Sequence, residues 1–509
     1  MPSRLQQVLS AVILVALVLP WVNPFAPGPS SSVVPWLVTA SCAVIAWAAY
    51  RLSQARAVQP LHWVQCIAAG WIAAALISSA IALFQYFGLA SYLSPLANAT
   101  GVGEAFANLR QRNQFASLTA IGMAALLWWA PGTRRGHAVA AMALLAVANA
   151  ASASRTGLLQ VVMLALFTGL WSGPDRRRRL ELCLAAALAY LLAATLLPVL
   201  LEAITGMATD TIWGRMTRGE GCSSRVVLWS NVLDLISARP WLGWGWGELD
   251  YAHYITSYPG ARFCAILDNA HNLPLHLAVE LGVPAAAIIG GAFLWWVVRA
   301  QPWRETDRTR QLAWSVLAVI LLHSMLEYPL WYGPFQLAFV LSLGLLRPSS
   351  PGASSNASGH GWWAPGFQRA LTLALIAAIA FAAWDYRRIS QIYLPPQARD
   401  ADYRDDTLAH IRGSRLFQDH VRFAELTITP LTRDNAQWTF DTALALLHYS
   451  PEPRVIEKVI ESAAMLGRDN EALAHLSRFR AAFPNEYALW SAAQRTAPAS
   501  SAHPTHAGG

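Results

Sequence analysis

The chain has 509 residues, of which 55% are hydrophobic and only 13% charged, with a formal net charge of +8. A charged share about half the roughly 25% of soluble domains excludes an ordinary soluble globular fold. The positive charge does not indicate a nucleic-acid partner either, because the arginines sit in short clusters between long apolar runs, where they act as an orientation signal.

In chain order, apolar runs such as Val8 to Leu19, Val33 to Tyr50 and Leu180 to Leu201 approach or reach the length that a helix needs to cross a hydrocarbon core. Lipid offers no hydrogen-bond partners, so these runs are predicted to be helical, and their unbroken apolarity does not fit the alternation of a membrane barrel. The run from Leu5 is kept as a first span rather than a signal peptide, because Pro20-Trp21-Val22-Asn23-Pro24 follows it with no small-x-small cleavage site. About eleven spans are expected, beginning near Val8, Val33, Trp63, Phe115, Ala138, Leu158, Leu180, Pro274, Leu312, Gly333 and Arg369. The stretch from Leu312 to Leu346, broken at Glu327-Tyr328-Pro329, reads as a hairpin or as one kinked unit. The clusters at Arg51 and Arg56, Arg134 and Arg135, Arg176 to Arg179, and Arg299 to Arg310 fall in alternate loops, which puts the N-terminus inside and, with an odd count, the C-terminus outside. Arg110, Arg112 and Arg155 are the exceptions in the short external loops.

The expected organisation is therefore all-α: a membrane domain over 1–386 that includes an external loop over 203–270, a helical tail domain over 387–495, and a disordered end over 496–509. The Ser/Gly-rich stretch Pro348 to Gly361 reads as a linker. In the tail, helical periodicity runs through Asp441 to Leu447 and Ile456 to Phe483, in the manner of one tetratricopeptide-like hairpin that should stop near Phe483, ahead of Pro484. The five cysteines have no CxxC spacing, so a sulfur-bound metal is not expected. Cys222 and Cys264 share the external loop, where an oxidising compartment would allow a disulfide, and two free thiols are the alternative.

Polar clusters gather at the outer ends of spans, where they are costly. Asn108 to Gln114 carries Gln111 and two arginines, Arg110 and Arg112, on the side that topology disfavours; arginine forks suit a diphosphate. Ser152 to Gly157 is a tight turn in which Arg155 is the one residue that turn chemistry does not explain. In the long loop, Ser223 or Ser224 can cap a helix that runs to about Ala238, with Arg225 in its first turn; backbone donors and guanidinium would then face one anion. The Trp/Gly alternation over 240–247 reads equally as an interfacial aromatic belt or as a sugar-stacking platform. His271 lies at the mouth of a span beside Asp268, a carboxylate that could fix its tautomer, and an imidazole is the natural general base for a hydroxyl nucleophile. His276 and Glu280 share a helical face and suit an internal hydrogen bond. Glu327 and Tyr328 should face the same external cavity, an interfacial anchor being the plain alternative.

At these residues the chain resembles the bacterial O-antigen ligase superfamily and, within it, the protein O-oligosaccharyltransferases of PglL type. The resemblance is carried by NLRQRNQFA (108–116), SRTG (154–157), SSRVVLW (223–229), PWLGWGWGE (240–248), DNAHNLPLHLAVELG (268–282) and HSMLEYPLWYG (323–333), in register through most of the membrane region. It implies an enzyme of the bacterial inner membrane whose site faces the periplasm and which transfers an oligosaccharide en bloc from undecaprenyl diphosphate to Ser or Thr of a periplasmic protein such as a pilin. No metal or cofactor is implied. His271 would activate the acceptor hydroxyl, Arg225 with Arg155 would hold the departing diphosphate, and Gln111 and Tyr328 match further functional positions. Without a metal, arginines must stabilise the charge that develops on the leaving group. Two rivals remain: a ligase or polymerase of lipopolysaccharide O-antigen, with a sugar hydroxyl as acceptor, and a lipid-linked-glycan flippase, which would show repeats and interrupted helices at mid-membrane.

Overall fold

The computed structural model describes residues 4–55, 63–129, 132–173, 175–209, 214, 221–347 and 365–496. The Pro348 to Gly361 linker and the expected disordered end from 497 onward lie outside the described residues. Among the described residues the chain is all-helical, without strands. It divides into two compact units. The first comprises Met1–Arg218, His271–Leu273 and Gly290–Ala401, and the second Gly219–Ala270, Pro274–Ile289 and Asp402–Gly509.

In the first unit, α1 (Arg4–Val22), α2 (Val33–Ala55), α3 (Trp63–Tyr86) and α7 (Arg176–Thr205) contain stretches long and apolar enough to cross a membrane. The same holds for the spans Val283–Arg304 and Gly366–Tyr393, making six such helices among the described residues. With these apolar helices, the chain is a multi-pass membrane protein. The other expected spans coincide with α4 (Arg112–Trp129), α5 (Arg135–Ala151), α6 (Arg155–Leu170), and, from the Leu312 region, α12 (Arg308–Ser324) and α13 (Gly333–Leu345). These last two pack against each other, so that stretch is a hairpin.

Helix α4 opens on the polar residues Arg112-Asn113-Gln114, yet every residue from Gln114 to Leu127 is buried, and α3, α5, α6 and α12 pack on it. Burial of its polar positions is tolerable because they are hydrogen-bonded. Ser117 Oγ meets His323 Nδ1 at 2.9 Å and accepts from Gln160 Nε2 at 2.7 Å, while Thr119 Oγ1 accepts from Asn149 Nδ2 at 2.7 Å. Large side chains such as Trp71, Phe115, Ile121, Met142 and Phe335 fill the remaining core.

The second unit holds α8 (Arg225–Ala238), α9 (Leu249–Ile255), α10 (Leu273–Leu281) and the start of α11 (Val283–Ala300). The span expected from Pro274 is thus corrected: α10 is a separate nine-residue helix, and the apolar span begins at Val283. The break is Gly282, whose φ of +87° suits glycine alone, and whose Cα faces the Trp241 carbonyl so closely that a Cβ would come within 2.2 Å of it.

Beyond α14 (Pro365–Ser390), the tail forms α15 (Thr407–Ile411), α16 (Gln418–Ile428), α17 (Ala436–Leu446), α18 (Pro453–Met465), α19 (Asp469–Ala482) and α20 (Pro484–Thr496). The periodicity from Ile456 to Phe483 resolves into α18 and α19, separated at Gly467, and α19 ends at Ala482 as Pro484 requires. Pro484 then opens a new helix, the first-turn position that its missing N–H tolerates. Tail and external loop share this unit. Tyr254 of α9 lies in one apolar cluster with Phe440, Val459 and Phe479, and its hydroxyl meets His475 Nδ1 at 3.0 Å.

Candidate active site

In the first unit the chain places a histidine and a carboxylate together. His271 Nδ1 lies 2.5 Å from Glu327 Oε2, with the two side chains 18% and 10% exposed. An ionised carboxylate only accepts hydrogen bonds, so Nδ1 is the donor of this pair. Sequence reasoning sought this partner at Asp268; the structure supplies it from Glu327, at the end of the α12 segment. The Tyr328 ring meets the imidazole edge-on, with centroids 4.9 Å apart, and stacks on Tyr332. Asn272, the next residue, donates to the Met325 carbonyl at 3.1 Å, fixing the backbone beside both groups.

Two residues of the polar motifs, Asn113 and Ser154, extend the pair although neither was singled out. Asn113 Nδ2 donates to Glu327 Oε1 at 3.3 Å, and its Oδ1 accepts from Ser154 Oγ at 2.6 Å. Ser154 also caps α6 by accepting from Gly157 N at 3.0 Å. The motif spacing held a signal for this, since a serine just before a helical run is an N-cap. The cap fixes the start of α6, and with it Arg155, an exposed residue of its first turn.

The backbone is strained at the same places. Four of the six non-glycine residues with positive φ among the described residues are Ala107, Arg110, Ala153 and His271. His271 has φ +50°. Such conformations cost on the order of 1–3 kcal/mol each and persist where surrounding contacts over-determine them. At the start of α4, Gln111 Oε1 accepts from Gln114 N at 2.7 Å and Arg112 pairs with Glu104 at 2.9 Å. The nearby Arg110 donates to the Pro24 carbonyl. Asn108 is a structural residue, buried and donating to the carbonyls of Val22 and Leu96.

Arg225 and Asp268 belong to the second unit. There α8 runs from Arg225 to Ala238, as capping chemistry predicts, with Ser224 Oγ accepting from Val227 N at 3.3 Å. Arg225 thus repeats the arrangement of Arg155: a serine cap, then an arginine at the first helical position. Helix α8 is pinned to the 261–270 segment three times. Cys222 and Cys264 form a disulfide, Asn231 bonds the backbone of Ala261 and Phe263, and Trp229 Nε1 donates to the Ala270 carbonyl at 3.1 Å. Ala270 precedes His271 in the chain.

Of the loop tryptophans, Trp244 is held inside, donating to the Leu235 carbonyl at 2.9 Å beneath the Arg239 guanidinium. Glu280 is buried because it accepts from Gly247 N at 3.0 Å, and it lies 3.5 Å from His276, four residues earlier. Burial pushes the Asp250 carboxyl up to about 7, with the charges of Asp268 and Glu248 adding to the effect and a hydrogen bond from Tyr251 N opposing it.

Three family models match the chain: Protein glycosylation ligase over residues 105–130, O-Antigen ligase over 140–290, and Virulence factor membrane-bound polymerase, C-terminal, over 311–498. A General O-oligosaccharyltransferase of Acinetobacter baylyi is 25% identical over 288 residues, 55% of this chain and 50% of that protein. A ComP-specific O-oligosaccharyltransferase of the same organism is 25% identical over 236 residues, 46% of this chain and 42% of its own length. The chain thus aligns with half or less of each of these relatives. No solved structure matches it. The His271–Glu327 pair lies on the HNLP and EYPLW elements of the resemblance, and Asn113 and Ser154 on two more. In its matched segments and relatives, the chain is similar to the O-antigen ligase superfamily and, within it, to the protein-glycosylating, PglL-type members.

Proposed function

We propose that this protein transfers an oligosaccharide en bloc from undecaprenyl diphosphate to a Ser or Thr hydroxyl of a periplasmic protein, such as a pilin. The reading places it in the bacterial inner membrane with eleven spans, its N-terminus inside, and its site, loop and tail in the periplasm. The observation that carries it is the His271–Glu327 hydrogen bond, made by an imidazole on a strained turn. With Nδ1 bound by the carboxylate, Nε2 takes the proton of the acceptor hydroxyl as its oxygen attacks the anomeric carbon. The bond from that carbon to the phosphate oxygen breaks, and its electron pair leaves with the diphosphate. Glu327 stabilises the imidazolium that forms, and Asn113 and Ser154 hold Glu327 in place.

The resemblance assigns Arg155 and Arg225 to the leaving diphosphate. Their helix starts supply the right local chemistry, since backbone donors and a guanidinium favour an anion at each. Gln111 and Tyr328 match further functional positions of the resemblance, and Arg112 and Asp268 are assigned to substrate binding from the polar clusters that hold them. The test is reconstitution of the full chain with a lipid-linked oligosaccharide and a candidate pilin, followed by mass spectrometry of the acceptor. A glycopeptide one intact oligosaccharide heavier is the expected product; donor consumed without acceptor glycosylation would overturn the proposal. The matches to an O-antigen ligase and to a membrane-bound polymerase favour one second reading, with a sugar hydroxyl as acceptor. In a deletion strain, altered lipopolysaccharide with unchanged protein glycosylation would establish it.

A further inference from the structure

The Trp/Gly stretch of the external loop separates into two kinds of residue. Trp244 is tied down, whereas Trp241 and Leu242 project, at 75% and 86% exposed. The turn that carries them is rigid. Val283 N donates to the Pro240 carbonyl at 2.8 Å, Trp244 N to Val279 O at 2.9 Å, and Gly245 N to Glu280 O at 3.0 Å. Gly243 and Gly282 let the two backbones cross, a Cβ on either coming within 2.4 Å of the other strand's carbonyl. An apolar tip this exposed and this fixed asks for a partner.

The attachment point identifies the partner. Val283 is the first residue of the candidate span Val283–Arg304, whose apolar stretch is not buried by protein at any residue, as expected of a helix that faces lipid. We propose that the Trp241–Leu242 tip is a membrane-interface anchor, seated in the bilayer beside the end of that span and holding the loop at the lipid surface. Trp at head-group depth with Leu beneath it is the composition of such anchors. Arg239, whose guanidinium lies 4.0 Å over the Trp244 ring, places a positive charge next to the tip, where phosphate head groups lie. A sugar-stacking platform would need several hydrogen-bonding groups around the indole, whereas Pro240, Leu242 and Val283 beside the tip are apolar and the one polar neighbour, Arg239, is stacked on Trp244.

The test is Leu242→Cys in the full chain, with Cys42, Cys66 and Cys183 changed to Ser, labelled with an environment-sensitive fluorophore and reconstituted in phosphatidylethanolamine/phosphatidylglycerol vesicles. The expected result is a blue-shifted emission, quenched about twofold or more by a nitroxide on the upper acyl chain. A label at Leu489→Cys, on an exposed position of α20, should not respond. Trp241→Cys gives a second reading if the first site labels poorly. Equal response at both positions to an aqueous quencher, with none to the lipid nitroxide, would overturn the proposal. Shielding of the tip only on adding acceptor protein or soluble glycan would do the same and assign the tip to that partner.

Discussion

Replacing Glu327 with Gln keeps the shape of the side chain beside His271 and removes its charge. The histidine nitrogen and the carboxylate oxygen are 2.5 Å apart and both side chains are mostly buried, so the charge centres of an imidazolium–carboxylate pair lie about 4 Å apart in poorly screened surroundings. At an effective dielectric of about 20, such a pair is worth roughly 4 kcal/mol. That energy is available only when the imidazole has taken the proton, so its loss raises the barrier and leaves substrate binding nearly intact. With about 1.4 kcal/mol per tenfold, Glu327→Gln should lower kcat for glycan transfer by about 10²- to 10³-fold with little change in KM for donor or acceptor. The assay is single-turnover transfer from lipid-linked oligosaccharide to acceptor peptide, with thermal unfolding as the control for folding. A well-folded Glu327→Gln enzyme within threefold of the parent would refute the idea that the carboxylate acts through His271.

His271→Asn is the variant that tests the proposed base, because Asn tolerates the left-handed turn that Ala would strain; transfer should vanish while the melting temperature holds. Arg225→Lys should be nearly as damaging, since a point charge replaces the bidentate fork, and donor turnover measured against Arg155→Lys ranks the two arginines. Ser154→Ala removes a helix cap and the Asn113 contact together, and should cost about 1 kcal/mol in unfolding free energy and about tenfold in transfer. Asp250 supplies a pH dependence. Its folded value of about 7 lies above the ordinary carboxylate value, so its contribution to stability is fully present below about pH 4 and lost as pH rises through 7. Asp250→Asn should therefore gain on the parent from pH 5 to pH 8, by on the order of 2 to 4 kcal/mol, in thermal unfolding curves.

Local chemistry made much of this legible from the sequence. A serine cap and apolar periodicity locate the start of α8, and with it Arg225, because both signals are written in neighbouring residues, whereas the turn reading of Ser152 to Gly157 sets the start of α6 at Leu158, three residues late. Hydropathy finds the six long spans for the same reason. The partner of His271 was not legible. Asp268 is three residues away in sequence, whereas Glu327 is 56 residues on and meets the imidazole only in the folded chain, which no local pattern encodes. The break between α10 and α11 was missed because a glycine inside an apolar run reads as tolerated; its crossing with the Trp241 backbone is a tertiary fact. Asn113 and Ser154 sat inside quoted motifs, but only the folded chain shows that they bond each other.

The crosslink between Cys222 and Cys264 bears on how the protein should be handled. It closes just ahead of the helix that carries Arg225, so material prepared in dithiothreitol, or in a cell-free mixture lacking an oxidant, would present that arginine on an unfastened support. Activity lost on such a route would recover on reoxidation, and a preparation judged inert should be checked for its thiol count before its sequence is blamed.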